Sequence, residues 1–220
     1  MRIVATSDTH FLFDNTLIPD GDVLIHAGDL MMNGTLQEWN SRVESLRAMP
    51  HKTKLLVPGN HDYFIEHYPK VAEDMLAEAG IELWGTKVDR MMRDVGGFNF
   101  LFLPYVTNLP SWAYNRGEEW LADFLSYITA PVDVVVSHAP MYGLLDAINP
   151  KAFRARDKEY VGCRAYARWF NQLLHQPKYW VCGHIHESYG TAELRGTKFM
   201  NVAMCNKKYE QANQAMVFDL

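Results

Sequence analysis

The chain has 220 residues, 48% of them hydrophobic and 21% charged, a composition that excludes disordered and fibrous classes and fits a soluble globular protein. A chain of this length buries roughly 70% of the surface it exposes when unfolded, so its core needs no disulfide or metal staple. Lys and Arg number 21 against 26 Asp and Glu, a formal charge of −5, which offers no general attraction to polyanions. Cys163, Cys182 and Cys205 lie far apart without a Cys-x-x-Cys pair. They form neither a disulfide framework nor a thiolate zinc site, and point to a reducing, cytoplasmic setting. The first apolar run stops at Asp8, too short for a signal peptide, and no stretch approaches the roughly 20 apolar residues of a membrane-spanning helix. Histidine is the outlier, with nine residues.

In chain order, Ile3–Ala5 and Val23–Ile25 read as buried strands running straight into polar residues. Thr35–Ala48 reads as a helix, with Thr35 as N-cap and Glu38 completing a capping box. Lys54–Val57 is a third strand, stopped by Pro58-Gly59, and Pro69–Ala79 a second helix with Pro69 near its first position and Gly80 beyond its end. Strands are expected over Ile81–Leu83, Lys87–Arg93 and Phe98–Leu103. The second half continues with a helix over Gly117–Thr129, a strand over Val132–Val136, a helix over Cys163–Leu174 and a strand over Tyr179–Cys182. The tail, from Tyr189 to Leu220, reads as three strands divided by Arg195-Gly196 and by the polar stretch Asn206–Asn213. No linker, charge block or repeat divides the chain, so residues 1–220 are read as one α/β domain, with strands too irregular for a purely parallel sheet.

Five apolar strands end in polar clusters, always at the C-terminal end: Asp8-Thr9-His10, Gly28-Asp29, Gly59-Asn60-His61-Asp62, His138, and Gly183-His184-Ile185-His186. Ligand sites of α/β sheets gather outside the carboxyl ends of strands. Imidazole nitrogens, carboxylates and an amide carbonyl are ligands for first-row divalent metals without thiolate. Asp-x-His and His-x-His place side chains two apart, on one side of an extended chain, so each pair can face a shared cavity.

The order D-x-H, G-D, G-N-H-[DE], H, G-H-x-H resembles the calcineurin-like metallophosphoesterase superfamily, with no ligand position missing between residues 8 and 186. The resemblance implies an α/β fold of two mixed sheets packed face to face and flanked by helices, an αββα sandwich. It implies two divalent ions, manganese first and Fe, Zn, Co or Ni as alternatives. Asp8, His10, Asp29 and His186 would hold one, and Asp29 would bridge to a second held also by Asn60, His138 and His184. Two such ions clamp a phosphate and lower the pKa of a bridging water, whose hydroxide attacks phosphorus in line. In the family, the position of His61 protonates the leaving-group oxygen or stabilises its charge. Asp62 would then orient His61 and keep it cationic, as a neighbouring carboxylate does. Five of the nine histidines fall in this set, and two divalent ions would cancel four of the five formal negative charges.

More of the chain is similar to one branch, the animal metallophosphoesterase-domain-containing proteins and their microbial relatives. The similarity is carried by Pro19–Asp29, Trp112–Asn115, Gly162-Cys163, Gly183–Glu187 and Asn201–Asn206. It implies a phosphodiesterase acting on small diesters such as cyclic nucleotides. Some animal members carry Gly where His186 stands here; Asp62 replaces the Glu of many relatives. The alternatives are a metal-dependent nuclease or a phosphomonoesterase and, in a different class, a metal-binding scaffold with little turnover. Nucleic acid is disfavoured by the acidic balance, and no membrane partner is expected. The segment Pro104–Gly117 reads either as a lid offering Trp112, Tyr114 and Arg116 to substrate or as a cover over a sheet edge. His26 reads as a hydrogen-bonded core residue, His51, His67 and His175 as surface, and Cys163 as a small buried hydrophobe or a neighbour of the metal cavity.

Overall fold

The computed structural model describes residues 1–10, 15–150 and 159–220. Strands β1 (Arg2–Thr6), β2 (Val23–Ala27), β3 (Thr53–Val57) and β4 (Glu82–Leu83) run parallel, and β11 (Met216–Asp219) closes the far edge antiparallel to β1, in the order β11-β1-β2-β3-β4. The second sheet is built from β5 (Met92–Val95), β6 (Phe98–Leu103), β7 (Val134–Ser137), β8 (Tyr179–Cys182), β9 (Gly190–Leu194) and β10 (Thr197–Asn201). Its order is β5-β6-β7-β8-β10-β9, with parallel pairing inside and an antiparallel strand at each edge.

The alternation of strand side chains decides the layering. Ile3, Ala5, Ile25, Leu55 and Val57 of the first sheet share a cluster with Phe100, Phe102, Val134, Val136, Val181 and Met200 of the second. The intervening residues face outward: Val4, Leu24 and Leu56 pack on Trp39, Val43 and Leu46 of α1 (Leu36–Arg47) and on Ala72 and Leu76 of α3 (Pro69–Glu78). Leu101, Leu103, Val135, Trp180 and Phe199 pack on α4 (Glu118–Ser126) and α5 (Arg164–Gln172). The result is an αββα sandwich, as the family resemblance implies.

Local chemistry sets the element ends. Thr35 Oγ1 accepts from Glu38 N and Glu38 Oε2 from Thr35 N, each at 3.2 Å, the reciprocal box expected at the start of α1. Lys87–Arg93 departs from the expected strand. Gly85 N donates to Arg90 O at 2.8 Å, and Lys87 and Arg90 both reach Glu73, so residues 88–90 form a 3-10 turn and β5 starts only at Met92. One helix has no periodic signal: α2 (Tyr63–His67) spans five residues and ends before Pro69. No described helix is long and apolar enough to cross a membrane.

Candidate metal centre

The carboxyl ends of β1, β2 and β3 in one sheet, and of β7 and β8 in the other, open on one cavity. Ser7 ties the sheets together there: its N–H donates to Val202 O, and its carbonyl accepts from Met204 N. Asp8 N donates to Gly28 O at 2.9 Å and His10 N to Asp29 O at 3.2 Å, lacing the first two motif loops. Asp8, His10, Asp29 and His184 all have left-handed backbones, with φ of 50°, 46°, 56° and 66°. Each costs about 1–2 kcal/mol in a residue with a Cβ, and such strain collects at functional sites. Two glycines allow the close approach. Gly28 (φ +100°) lies against the His138 ring, and a side chain at Gly183 would enter the Asp8 carboxylate.

Four imidazoles share one device. Nδ1 of His10, His61, His138 and His186 lies 3.1, 2.7, 2.9 and 3.0 Å from the carbonyls of Met31, Met32, Ala27 and Asn206. A carbonyl only accepts, so each Nδ1 is assigned the proton and each Nε2 faces the cavity. There, Nε2 of His10 and His186 stand 3.4 Å apart, and His186 Nε2 is 3.3 Å from Asp8 Oδ1. His138 Nε2 is 3.0 Å from Asn60 Oδ1 and 3.4 Å from Asp29 Oδ1. Lone pairs converging this closely require positive charge between them.

Without metal, protons meet that demand. Burial opposes a charge on His186, but the hydrogen bond and charge of Asp8 push it up to about 9. Burial likewise opposes a charge on His138, and Asp29 pushes it up to about 9. Burial would raise both carboxyls, yet these imidazoles hold Asp8 and Asp29 well below the usual carboxylate range. His184 behaves otherwise: burial and the His138 charge lower it to about 4, and its buried Nδ1 has no hydrogen-bond partner. An orphaned nitrogen and paired acceptors of N and O type fit divalent cations. The ligand atoms of Asp8, His10 and His186, of His10, Asp29 and His61, and of Asp29, His138 and His184 form three groups, each within 4.8 Å, in which metal could sit. All seven expected ligands, Asn60 included, therefore meet in this cavity.

The expected role of Asp62 is corrected. Its Oδ2 accepts from Gly59 N (2.7 Å), Asp29 N (3.0 Å) and Leu30 N (3.4 Å), and its Oδ1 from Met31 N (3.0 Å). Both oxygens are thus taken by backbone amides, and the His61 ring is held by Met32 O instead. Asp62 braces the Gly28-Asp29 and Gly59–Asp62 loops against each other. Burial and the nearby Asp29 charge push its carboxyl up to about 7 despite these donors.

Of the three aromatic and basic candidates in Pro104–Gly117, one lines the cavity. The Trp112 ring lies 4.5 Å from the His61 ring. Tyr114 is buried with the helices of the first sheet. Arg116 lies 3.7 Å from Glu66 and covers the rings of Tyr105 and Trp120, so its charge is spent away from the site. The segment is part lid and part cover. Cys163 is not at the cavity: it caps α5, where Sγ accepts from Tyr166 N at 3.5 Å. His26 is the expected core residue, bonded to Thr9 Oγ1 at 2.9 Å. His51 is buried rather than superficial, its Nε2 bonded to Pro19 O at 3.0 Å.

The cavity measures about 290 Å³, and its wall includes Glu187, at the end of the last motif, and two residues with no motif signal, Lys207 and Tyr209. The Tyr209 ring lies 4.9 Å from that of His10 and 5.2 Å from that of His186. Asn201 Nδ2 donates to Ile185 O at 2.9 Å, and contacts Gly183 O and Leu145 O, holding the loop that carries His184 and His186. Its place in Asn201–Asn206 pointed to this segment, but not to the role.

Residues 1–188 match the family model for calcineurin-like phosphoesterases. A UPF0046 protein of Caenorhabditis elegans is 31% identical over 99% of this chain and 74% of its own length. A second from that organism is 30% identical over all of this chain and 81% of its length. Metallophosphoesterase domain-containing protein 1 of Homo sapiens is also 30% identical, over all of this chain and 71% of its own.

Proposed function

Because the chain belongs to the calcineurin-like phosphoesterase family, we propose that it is a divalent-metal-dependent hydrolase of small phosphodiesters. The observation that carries this reading is the position of Asp29, whose carboxylate belongs to a donor group with His138 and His184 and to another with His10 and His61. Asp8, His10, Asp29 and His186 would hold one cation, and Asp29, Asn60, His138 and His184 the second. Bound there, such a pair supplies Lewis-acid charge to phosphoryl oxygens and acidifies water at the site. The nitrogen and oxygen donors suit manganese, the ion we propose, as they suit Fe, Zn, Co and Ni.

His61 does the chain's own proton work. With Nδ1 given to Met32 O, its Nε2 faces the cavity 4.0 Å from Asp29 Oδ2. A protonated Nε2 there donates to the leaving-group oxygen as the ester bond breaks. A diester carries one negative charge where a monoester carries up to two. Among the described residues outside the ligand set, the wall offers, besides His61, Lys207 and Glu187 as charged groups, with apolar Leu109, Trp112 and Ile148. That balance favours a singly charged ester with an organic arm, and the volume suits a ligand of cyclic-nucleotide size. Three free, buried cysteines support a cytoplasmic location, and strands from both chain ends in the first sheet support one domain over residues 1–220.

A metal-by-substrate matrix tests the proposal. With Mn²⁺, bis(4-nitrophenyl) phosphate and cyclic nucleotides should turn over faster than 4-nitrophenyl phosphate. His61→Ala should lower kcat on a diester by roughly 10²–10³-fold with two ions per chain retained. Absence of turnover on every mono- and diester with Mn²⁺, Ni²⁺ or Co²⁺ would sink it.

A further inference from the structure

Tyr209 and Trp112 approach the catalytic imidazole from two separate loops. The Trp112 ring centroid lies 4.5 Å from that of His61, and the Tyr209 centroid 6.2 Å from it. Both rings line the cavity of about 290 Å³, and each keeps 38% of its surface exposed. His61 lines the same cavity, and no ring contact joins Trp112 to Tyr209 among the described residues.

Both loops are built to present a ring. Tyr209 is left-handed (φ 61°), as is Ser111 before Trp112 (φ 72°), a conformation that costs a residue with a Cβ. The Asn206 side chain holds the first turn, accepting from Lys208 N (2.8 Å) and Glu210 N (3.2 Å), while Asn206 O accepts from Tyr209 N at 2.8 Å. The same carbonyl holds His186 Nδ1 at 3.0 Å, so the turn that carries Tyr209 is registered to the metal centre. The second turn is closed by Leu109 N donating to Asn115 Oδ1 at 3.0 Å and Trp112 N to Leu109 O at 3.2 Å. Tyr63 Oη donates to Ser111 O at 3.3 Å and steadies it.

We propose that Trp112 and Tyr209 are the specificity-determining residues of the site and clamp a flat, aromatic leaving group, a nucleobase-bearing or aryl ester arm, beside His61. The inference rests on the phosphodiesterase reading, because His61 serves the leaving group and the two rings flank His61. An aromatic face stacks on any planar partner with little demand on its hydrogen-bonding edge. The clamp therefore selects flatness rather than one base. A saturated arm of equal acidity gains nothing from it.

The test compares two diesters whose leaving alcohols are of similar acidity but different shape: methyl 4-chlorophenyl phosphate and methyl hexafluoroisopropyl phosphate, each with Mn²⁺. The quantity read is the ratio of kcat/KM values, in which any general loss from a weakened fold cancels. The native protein should favour the aryl ester, chiefly through KM. Trp112→Ala and Tyr209→Ala should each reduce the aryl preference about tenfold, whereas Tyr209→Phe should retain it, since a ring without the hydroxyl still stacks. An unchanged ratio in both alanine variants overturns the clamp, as does a Phe variant that behaves like the alanine one. A calorimetric titration with 4-nitrophenyl phosphate against ethyl phosphate separates the two levels. Aryl-selective binding lost in the alanine variants, in a protein without turnover, supports the clamp and removes the phosphodiesterase reading. Turnover with an unaltered ratio does the reverse.

Discussion

The floor of the cavity and its rim are built by opposite means. On the floor, four imidazoles each give Nδ1–H to a backbone carbonyl, and Asp62 gathers four backbone amides from two motif loops. At the rim, Trp112 and Tyr209 stand 38% exposed and touch the site through tilted or edge-on ring contacts with its imidazoles. Groups that must hold charge away from water need every remaining hydrogen-bonding position filled, because an unpartnered buried polar atom costs about 1–3 kcal/mol. Groups that meet an organic arm need only be displayed. The cost of desolvation, more than proximity to phosphorus, divides the cavity.

If that division holds, floor and rim substitutions should differ in kind as well as size. Asp29→Ala removes the carboxylate that belongs to both donor groups and leaves His138 and His61 without its charge. Turnover of a diester should fall by at least about 10³-fold, and metal analysis should find fewer than two ions per chain. Trp112→Ala, by contrast, should keep the full metal complement. An Asp29→Ala protein with two ions and near-native turnover would break the comparison.

Asp62→Asn is the next largest effect, and it falls on stability. The amide keeps the shape but turns one acceptor oxygen into a donor, so amides now served by Oδ1 or Oδ2 face an N–H₂ group. Losing acceptance from even one of these buried donors costs about 1–3 kcal/mol. That corresponds to a fall in Tm of roughly 3–10 °C for a chain of this length, with metal affinity weakened about 10–100-fold. Thermal scans and metal titrations measure both. A native-like Tm with intact affinity would show that the brace is dispensable.

The two regions were also unequally legible in the sequence. The floor announced itself because each expected ligand follows an apolar strand in a short motif, so the parallel order of β1, β2 and β3 carries Asp8, Asp29 and Asn60 to one edge. The brace did not: Asp62 bonds amides of residues 29–31, and backbone groups leave no residue-type signal. Adjacency suggested that Asp62 serves His61, but its side chain turns the other way. Tyr209 lay inside a stretch that reads as a polar loop, and only the Asn206 turn makes it a wall of the site. His51 read as superficial because nothing local marks the Pro19 carbonyl it packs against. Trp112, Tyr114 and Arg116 looked alike in sequence; a four-residue turn splits them between cavity, core and surface.

The smallest effect concerns the cysteines, which belong to neither region. A thiol at a helix N-terminus usually ionises more easily, and Cys163 caps α5. Burial wins instead: it pushes Cys163 up to about 12, with the Glu118 charge adding to the rise, and Cys205 up to about 12, while Cys182 is raised further still. Folding therefore holds these groups as neutral thiols while the unfolded chain ionises them near pH 8.5–9. Between that range and pH 12 the thiols of the unfolded state bind fewer protons, so their contribution to stability should be flat below about pH 8 and decline as pH rises above 9. Iodoacetamide labelling of the native protein should be slow from pH 7 to 9, and all three thiols should react promptly in urea. Rapid native labelling of Cys163 at pH 8 would place that thiol in an open, charge-stabilising pocket. The division would then need a third region, a reactive group beside α5 that is neither floor nor rim.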